Sequence, residues 1–231
     1  QYKVLTLTDC FEYDEKTYNY YGSYSFTGTK IEQAVVTAIL NVTTDDKVVV
    51  DMIKGNNEQD SSSLKTLLEN NAYQVNEVSL ATGDFDSNAK IAIMYAPSVD
   101  LDEKIVEKLS TWLSNDGKYG RSLIYVPTAD MGEMPNLDDF LKEWGMSIDR
   151  GYVFETDEST LVSASSPYAF TVSYGDYYKD NLKNSKIPVV VSESHAVNIT
   201  DENTAHALLK TSDKAGVLPI DDDMNWDYKD A

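Results

Sequence analysis

The chain has 231 residues, is 42% hydrophobic and carries 19 Lys plus Arg against 39 Asp plus Glu, a formal charge of -20. A field of that sign repels nucleic acid, anionic lipid and free nucleotide phosphates, which excludes a polyanion-binding role and points, in the plainest reading, to solubility. The single cysteine, Cys10, excludes an internal disulfide, a multi-cysteine zinc site and a CxxC redox pair, and no stretch reaches the ~20 apolar residues of a membrane helix.

In chain order, Tyr2–Thr8 alternates apolar and polar residues as a half-buried strand does. The polar and aromatic stretch after it, through Gly28, reads as a loop or hairpin. Tyr18, Tyr20, Tyr21, Tyr24 and Phe26 crowd this segment, either as cover for a sheet edge or as a platform for sugar rings or a partner protein. Thr29 and Glu32 have capping-box spacing ahead of Ile31, Ala34, Val35, Ala38, Ile39 and Val42, which share one helical face.

The stretch KVVVDMIKGNNEQD, Lys47–Asp60, organises the rest: a β-branched run ending at Gly-Asn-Asn is how a buried parallel strand becomes a ligand-facing loop. A helix over Ser61–Asn70, a strand over Gln74–Leu80, a strand over Lys90–Pro97, a helix over Leu101–Ser114 and a strand over Arg121–Pro127 then alternate as a parallel α/β sheet requires. Gln74–Leu80 is polar enough for a position near the sheet edge, whereas Lys90–Ala96 belongs in its middle. Asp100 and Glu103 make a second capping box. Asn136–Trp144 forms a helix with Leu137, Phe140 and Leu141 inward and Gly145 as its stop. Tyr152–Glu155 is expected as a fifth strand. The pattern after Asp157 changes to scattered strands at 169–174, 187–192 and 205–211 without crossover helices. This predicts residues 1–46 packing on an α/β core of residues 47–157, with a mixed α+β appendage and acidic tail over 158–231. The spacing gives a three-layer fold with central strand order 2-1-3-4-5.

In such sheets ligands bind beyond the carboxyl ends of the strands, so the candidate loops are Lys54–Asp60, Ala96–Asp100 and Thr128–Asn136. Gly55, Asn56, Asn57 and Glu58 lie on the first. It has neither GxGxxG nor GxxxxGK[ST] spacing, so no dinucleotide or NTP fingerprint is present. Ser98 occupies about the place of an elbow nucleophile but lacks flanking glycines, and His195 and His206, the only imidazoles, lie in the appendage. Asp138–Asp139 and Asp221–Asp223 offer oxygen ligands but not the spaced calcium loop. No cofactor or metal is expected. Gly55 eases the turn and the Glu58 side chain suits the start of a helix, so a structural role accounts for both.

The order of QAVVTAI, TTDDKVVV, the GNNE loop, LLENNAYQVNEVSL, IAIMYAPSVDLDEKIVEKLSTWL and SLIYVPTADMGEMPNLDDFLKEWGMSID resembles the GldG-like auxiliary proteins of ABC-type transport systems, including those of gliding motility. The resemblance runs over Ile31–Thr211. It implies a flavodoxin-like or class I glutamine amidotransferase-like fold without catalytic residues. It also implies an extracytoplasmic domain, flanked by membrane spans in the intact bacterial protein, that works beside an ABC permease and ATPase. Asn56 and Asn57 stand where the family's loop has His and Gly, while Gly55 and Glu58 match. Binding or coupling through Gly55, Asn56, Asn57, Glu58 and Ser98, with Tyr20 and Tyr21 as a second contact, is the resulting expectation. Its rivals are a hydrolase or amidotransferase-like enzyme and a surface carbohydrate-binding module.

Overall fold

Thr6 and Asp9 decide how the chain starts. The Asp9 carboxylate accepts the Thr6 N–H at 2.8 Å and its hydroxyl at 2.6 Å. A short helix α1 (Leu7–Cys10) therefore replaces the strand expected over Tyr2–Thr8, because local side-chain bonds compete with sheet pairing. The computed structural model describes residues 2–127 and 131–219. Strand β1 (Phe11–Tyr13) is followed by helix α2 (Glu15–Tyr21), where the sequence pattern suggested only a loop or hairpin. Asp14 caps α2 through the Lys16 N–H (3.0 Å) and Thr17 hydroxyl (2.7 Å), and Gly22, at φ 67°, ends it. Strand β2 (Phe26–Thr29) returns antiparallel to β1, so the hairpin exists with a helix inside it.

Helix α3 (Ile31–Thr43) starts from Lys30 with no side-chain cap, not from the Thr29–Glu32 box. Strand β3 (Val49–Ile53) follows and is buried at every position. Helix α4 (Ser62–Asn70), strand β4 (Gln74–Val78), strand β5 (Ala89–Tyr95), helix α5 (Glu103–Ser114) and strand β6 (Ser122–Val126) complete the alternation. The four strands form a parallel sheet in the order β4-β3-β5-β6, with β4 at an edge and β5 inside as their polarity required. One face of this sheet carries Val50, Met52 and Ile93, covered by Leu64 and Leu68 of α4. Each of these three buried side chains contributes about 1.5–3 kcal/mol. Leu67 of the same helix points away, at 54% exposure.

By contact, residues 1–95 and 108–126 form one unit, and residues 96–107 with those from 127 on form a second; α5 contributes residues to both. In the second unit, helix α6 (Pro135–Glu143) buries Leu137, Phe140 and Leu141 and stops at Gly145, φ 75°. Strands β7 (Met146–Ile148), β8 (Gly151–Glu155), β9 (Leu161–Ser163) and β10 (Ser166–Tyr174) follow. After a single turn of helix, α7 (Asp176–Lys179), come β11 (Val189–Ser192), β12 (Val197–Ile199), β13 (Leu209–Lys210) and β14 (Ala215–Pro219). All pairings here are antiparallel: β9, β11 and β13 with β10, β12 with β7, and β14 with β8. The strand expected to be fifth in the parallel sheet is thus β8, paired with β14. Its apolar side chains read the same in either setting, and what fixes the partner lies some 60 residues downstream, where Val217 and Leu218 supply a matching strand.

Candidate functional site

Beyond the carboxyl end of β3 the chain turns at Gly55, whose φ of 116° suits glycine, and at Asn57, φ 54°. The Glu58 carboxylate closes this turn on itself: Oε2 accepts the Gly55 N–H and Oε1 the Asn56 N–H, both at 3.0 Å. A β-carbon on Gly55 would sit 3.1 Å from the Ser79 hydroxyl, so the loop lies tight against the end of β4. The Asn56 side chain is buried and Lys54 donates to the Ser61 hydroxyl at 2.8 Å. Ser61, just before α4, is thus engaged by Lys54, and the Asp60 carboxylate takes the Ser62 N–H and hydroxyl. Those two bonds, the hydroxyl first, hold the Asp60 carboxyl below its usual range.

Ser98 follows β5, half-buried, and belongs to the second unit. In that unit His195 bonds the Gly151 carbonyl through Nδ1 at 2.8 Å and stacks on Tyr152, while His206 stacks 4.2 Å from Tyr177. Both imidazoles are in packing contacts. The Asp100–Glu103 box expected at α5 is replaced by a different arrangement. The Asp100 carboxylate accepts the N–H groups of Leu101, Asn136 and Leu137 at 2.8–3.1 Å, which places an anion on the N-terminus of α6. Asp102 takes over at α5, accepting the Lys104 N–H at 2.9 Å. Asp138 pairs with Arg150 at 3.1 Å and Asp139 with Lys142 at 2.8 Å, so both expected metal-type acids face cations. Among the described residues no group of three or more His, Cys, Asp or Glu is placed to hold a metal ion. Asp221–Asp223, and Thr128 to Asp130 of the third candidate loop, lie outside the described residues.

The aromatic segment divides in two. Tyr13, Tyr18, Tyr24, Phe11 and Phe26 pack on one another, with Tyr18 and Tyr24 stacked at 4.6 Å. Tyr20 and Tyr21 stay out of that cluster, meet only edge to face at 4.7 Å, and are 81% and 72% exposed. Helix α3 adds a second exposed apolar surface. Its inward line is Ala34, Thr37, Ala38, Asn41 and Val42, whereas Ile31, Val35, Val36, Ile39 and Leu40 are exposed, Val36 and Ile39 at 54% each. The periodicity predicted Ile31, Val35 and Ile39 inward. Of the six residues on that expected face, Ala34, Ala38 and Val42 do turn inward and these three do not.

Two buried carboxylates went unread in the sequence. Asp51, fully buried in β3, accepts the Asn76 amide at 3.0 Å and the Asp86 N–H at 2.7 Å, and so fastens the 80–88 segment to the sheet. Glu155, at the end of β8, accepts the Thr156 and Asp157 N–H groups through Oε1 at 2.8 Å. Its Oε2 has no hydrogen-bond partner among the described residues. An acid inside the apolar runs VVVDMI and YVFE is the signal that marks both.

No family model matches the chain, and no curated protein matches it. Among solved structures it is similar to the mmIFT52 N-terminal domain, at 12% identity and a TM-score of 0.54, over 72% of this chain and 74% of that one. At that identity the likeness speaks to the fold alone, and the fold it speaks to is a mixed α/β one with a four-stranded parallel sheet and additional antiparallel sheets.

Proposed function

We propose that this chain is a non-catalytic binding or coupling domain of a GldG-like auxiliary protein, membrane-anchored in its intact form, working on the extracytoplasmic face beside an ABC permease and ATPase. The observation that carries the reading is the exposed apolar surface of α3, five large aliphatic residues on a helix whose only charge is Glu32, in a chain of net charge -20. Contiguous apolar surface of this kind marks a contact with another macromolecule. Tyr20 and Tyr21 supply large rigid side chains of the type that anchor interfaces. The GNNE loop supports a non-enzymatic role, because Glu58 is used by backbone N–H groups and Gly55 by the turn. A flavodoxin-like three-layer arrangement is part of the same proposal. From β3 the order runs one way to β4 and the other way to β5 and β6, and right-handed crossovers then assign α4 and α5 to opposite faces.

Affinity purification of the tagged full-length protein from its native membranes tests this. An ABC permease and ATPase should copurify, and Val36→Asp with Ile39→Asp should abolish recovery while leaving the melting temperature of the domain within about 2 °C, a surface substitution's range. Purification without any transporter component, or recovery unchanged in the double variant, would count against the reading.

A further inference from the structure

The amino edge of the parallel sheet, opposite the loops considered above, holds a groove of about 790 Å³. Three cations line it, Lys47, Lys90 and Arg121, together with two acids, Asp45 and Asp46. Basic side chains outnumber acidic ones here, three to two, in a chain where acids outnumber bases 39 to 19. None of the three cations is ion-paired among the described residues. Lys47 is tied to the Asn41 side chain at 2.7 Å and serves the wall. Lys90 is exposed and, among the described residues, makes no side-chain hydrogen bond. Arg121 gives one N–H to the Trp112 carbonyl at 2.9 Å and lies 5.3 Å over the Trp112 ring, which fixes its guanidinium and leaves four donors.

Ile91 and Ser122 are register partners in parallel strands whose backbones run about 4.8 Å apart, and Lys90 and Arg121 each lie one residue upstream of that pair, Lys90 at the bulge where β5 shifts register against β3. Like charges set opposite one another oppose sheet pairing. The backbone that delivers Arg121 is strained as well at Tyr119, whose φ of 53° is unfavourable for an aromatic residue; Asn115 and Asp116, at 47° and 56°, are of the types that enter this region more readily, and Asn115 and Gly120 both line the groove. Unfavoured charge pairing and unfavoured backbone at one place are the features a binding site retains at the expense of stability. The acids stand at the other end, just before β3, two strands away from β6. Opposite charges thus line the same groove, the acids in the loop before β3 and Arg121 just before β6.

We propose that this groove binds a small amphoteric molecule, its carboxylate or phosphate held between Lys90 and Arg121 and its ammonium end facing Asp45 and Asp46. The acids reject a second anionic group, which reconciles a local anion site with a surface that repels polyanions. Calorimetric titration at low salt with 4-aminobutyrate and with phosphorylethanolamine tests the site, and the tighter of the two tells a carboxylate-bearing from a phosphate-bearing ligand. Saturable one-to-one binding is expected for at least one of them, weakened at least tenfold by Lys90→Ala and severalfold by Asp46→Asn, and unchanged by Lys104→Ala, an exposed lysine outside the groove. Both test positions are exposed, so folding is kept and a thermal melt checks it. Absence of saturable binding by either probe, or equal loss in Lys90→Ala and Lys104→Ala, would overturn the proposal.

Discussion

Glu58, Asp100 and Asp51 are each used by backbone N–H groups that would otherwise be unpaired, and this sets what their removal does. Glu58→Ala frees the N–H groups of Gly55 and Asn56 and should cost about 1–2 kcal/mol, seen as a lower midpoint in urea. A midpoint unchanged by the substitution, together with lost cellular function, would make Glu58 a binding residue. Asp51→Ala leaves the half-buried Asp86 N–H without its acceptor and the Asn76 amide with only the longer 3.5 Å contact to the Asp86 carboxylate, and should cost more, about 2–3 kcal/mol. The turn aspartates give a pH dependence. Asp14 is held below its ordinary value of 3.8 by the Thr17 hydroxyl and then the Lys16 N–H, and Asp60 likewise by Ser62. A lowered native pKa contributes stability that is present above 3.8 and lost as pH falls through the native value. Helix α2 should therefore unwind early in an acid titration followed by circular dichroism below pH 4, and Asp14→Ala should remove that early phase.

Among the elements, the parallel strands are legible in the sequence because their side chains report burial directly: KIAIMYA can only be interior and QVNEVSL only an edge. The start of the chain is not, since α1 and α2 rest on a few local bonds, Thr6 to Asp9 and Asp14 to Lys16 and Thr17, that apolar periodicity does not record. Nor is the partner of β8, which periodicity leaves open between a parallel and an antiparallel neighbour. Helix α3 is legible as a helix and only in part as to face, Ala34, Ala38 and Val42 lying inward as expected and Ile31, Val35 and Ile39 not. Two residue classes, small and large apolar, have the same period, and only packing tells which one turns inward. For the candidate site, the turn at Gly55 and Glu58 is legible, but the amino-edge groove is not, because Lys90 and Arg121 are 31 positions apart and meet only through the strand register. The α6 helix offers a test at this scale: Asp100→Ala should cost about 1–2 kcal/mol and speed amide exchange at Asn136 and Leu137, whereas Asp100→Asn should retain part of both effects.

For the whole molecule, a charge of -20 works against compactness, and added salt should raise the melting temperature at pH 7 until repulsion is screened. A melting temperature insensitive to salt between low ionic strength and about 0.15 M, where the screening length is about 8 Å, would mean the acids are dispersed too widely to repel. In the proposed role the same charge keeps the exposed face of α3 from acting as a general sticky patch and leaves it for a partner whose own surface is apolar there. A photocrosslinking residue placed at Val36 of the full-length protein in its native membranes reads that contact directly. The account predicts a single adduct with a permease or ATPase subunit of an ABC system, absent when the same group is placed at exposed Lys104. An adduct with neither subunit, or equal crosslinking from both positions, would contradict it.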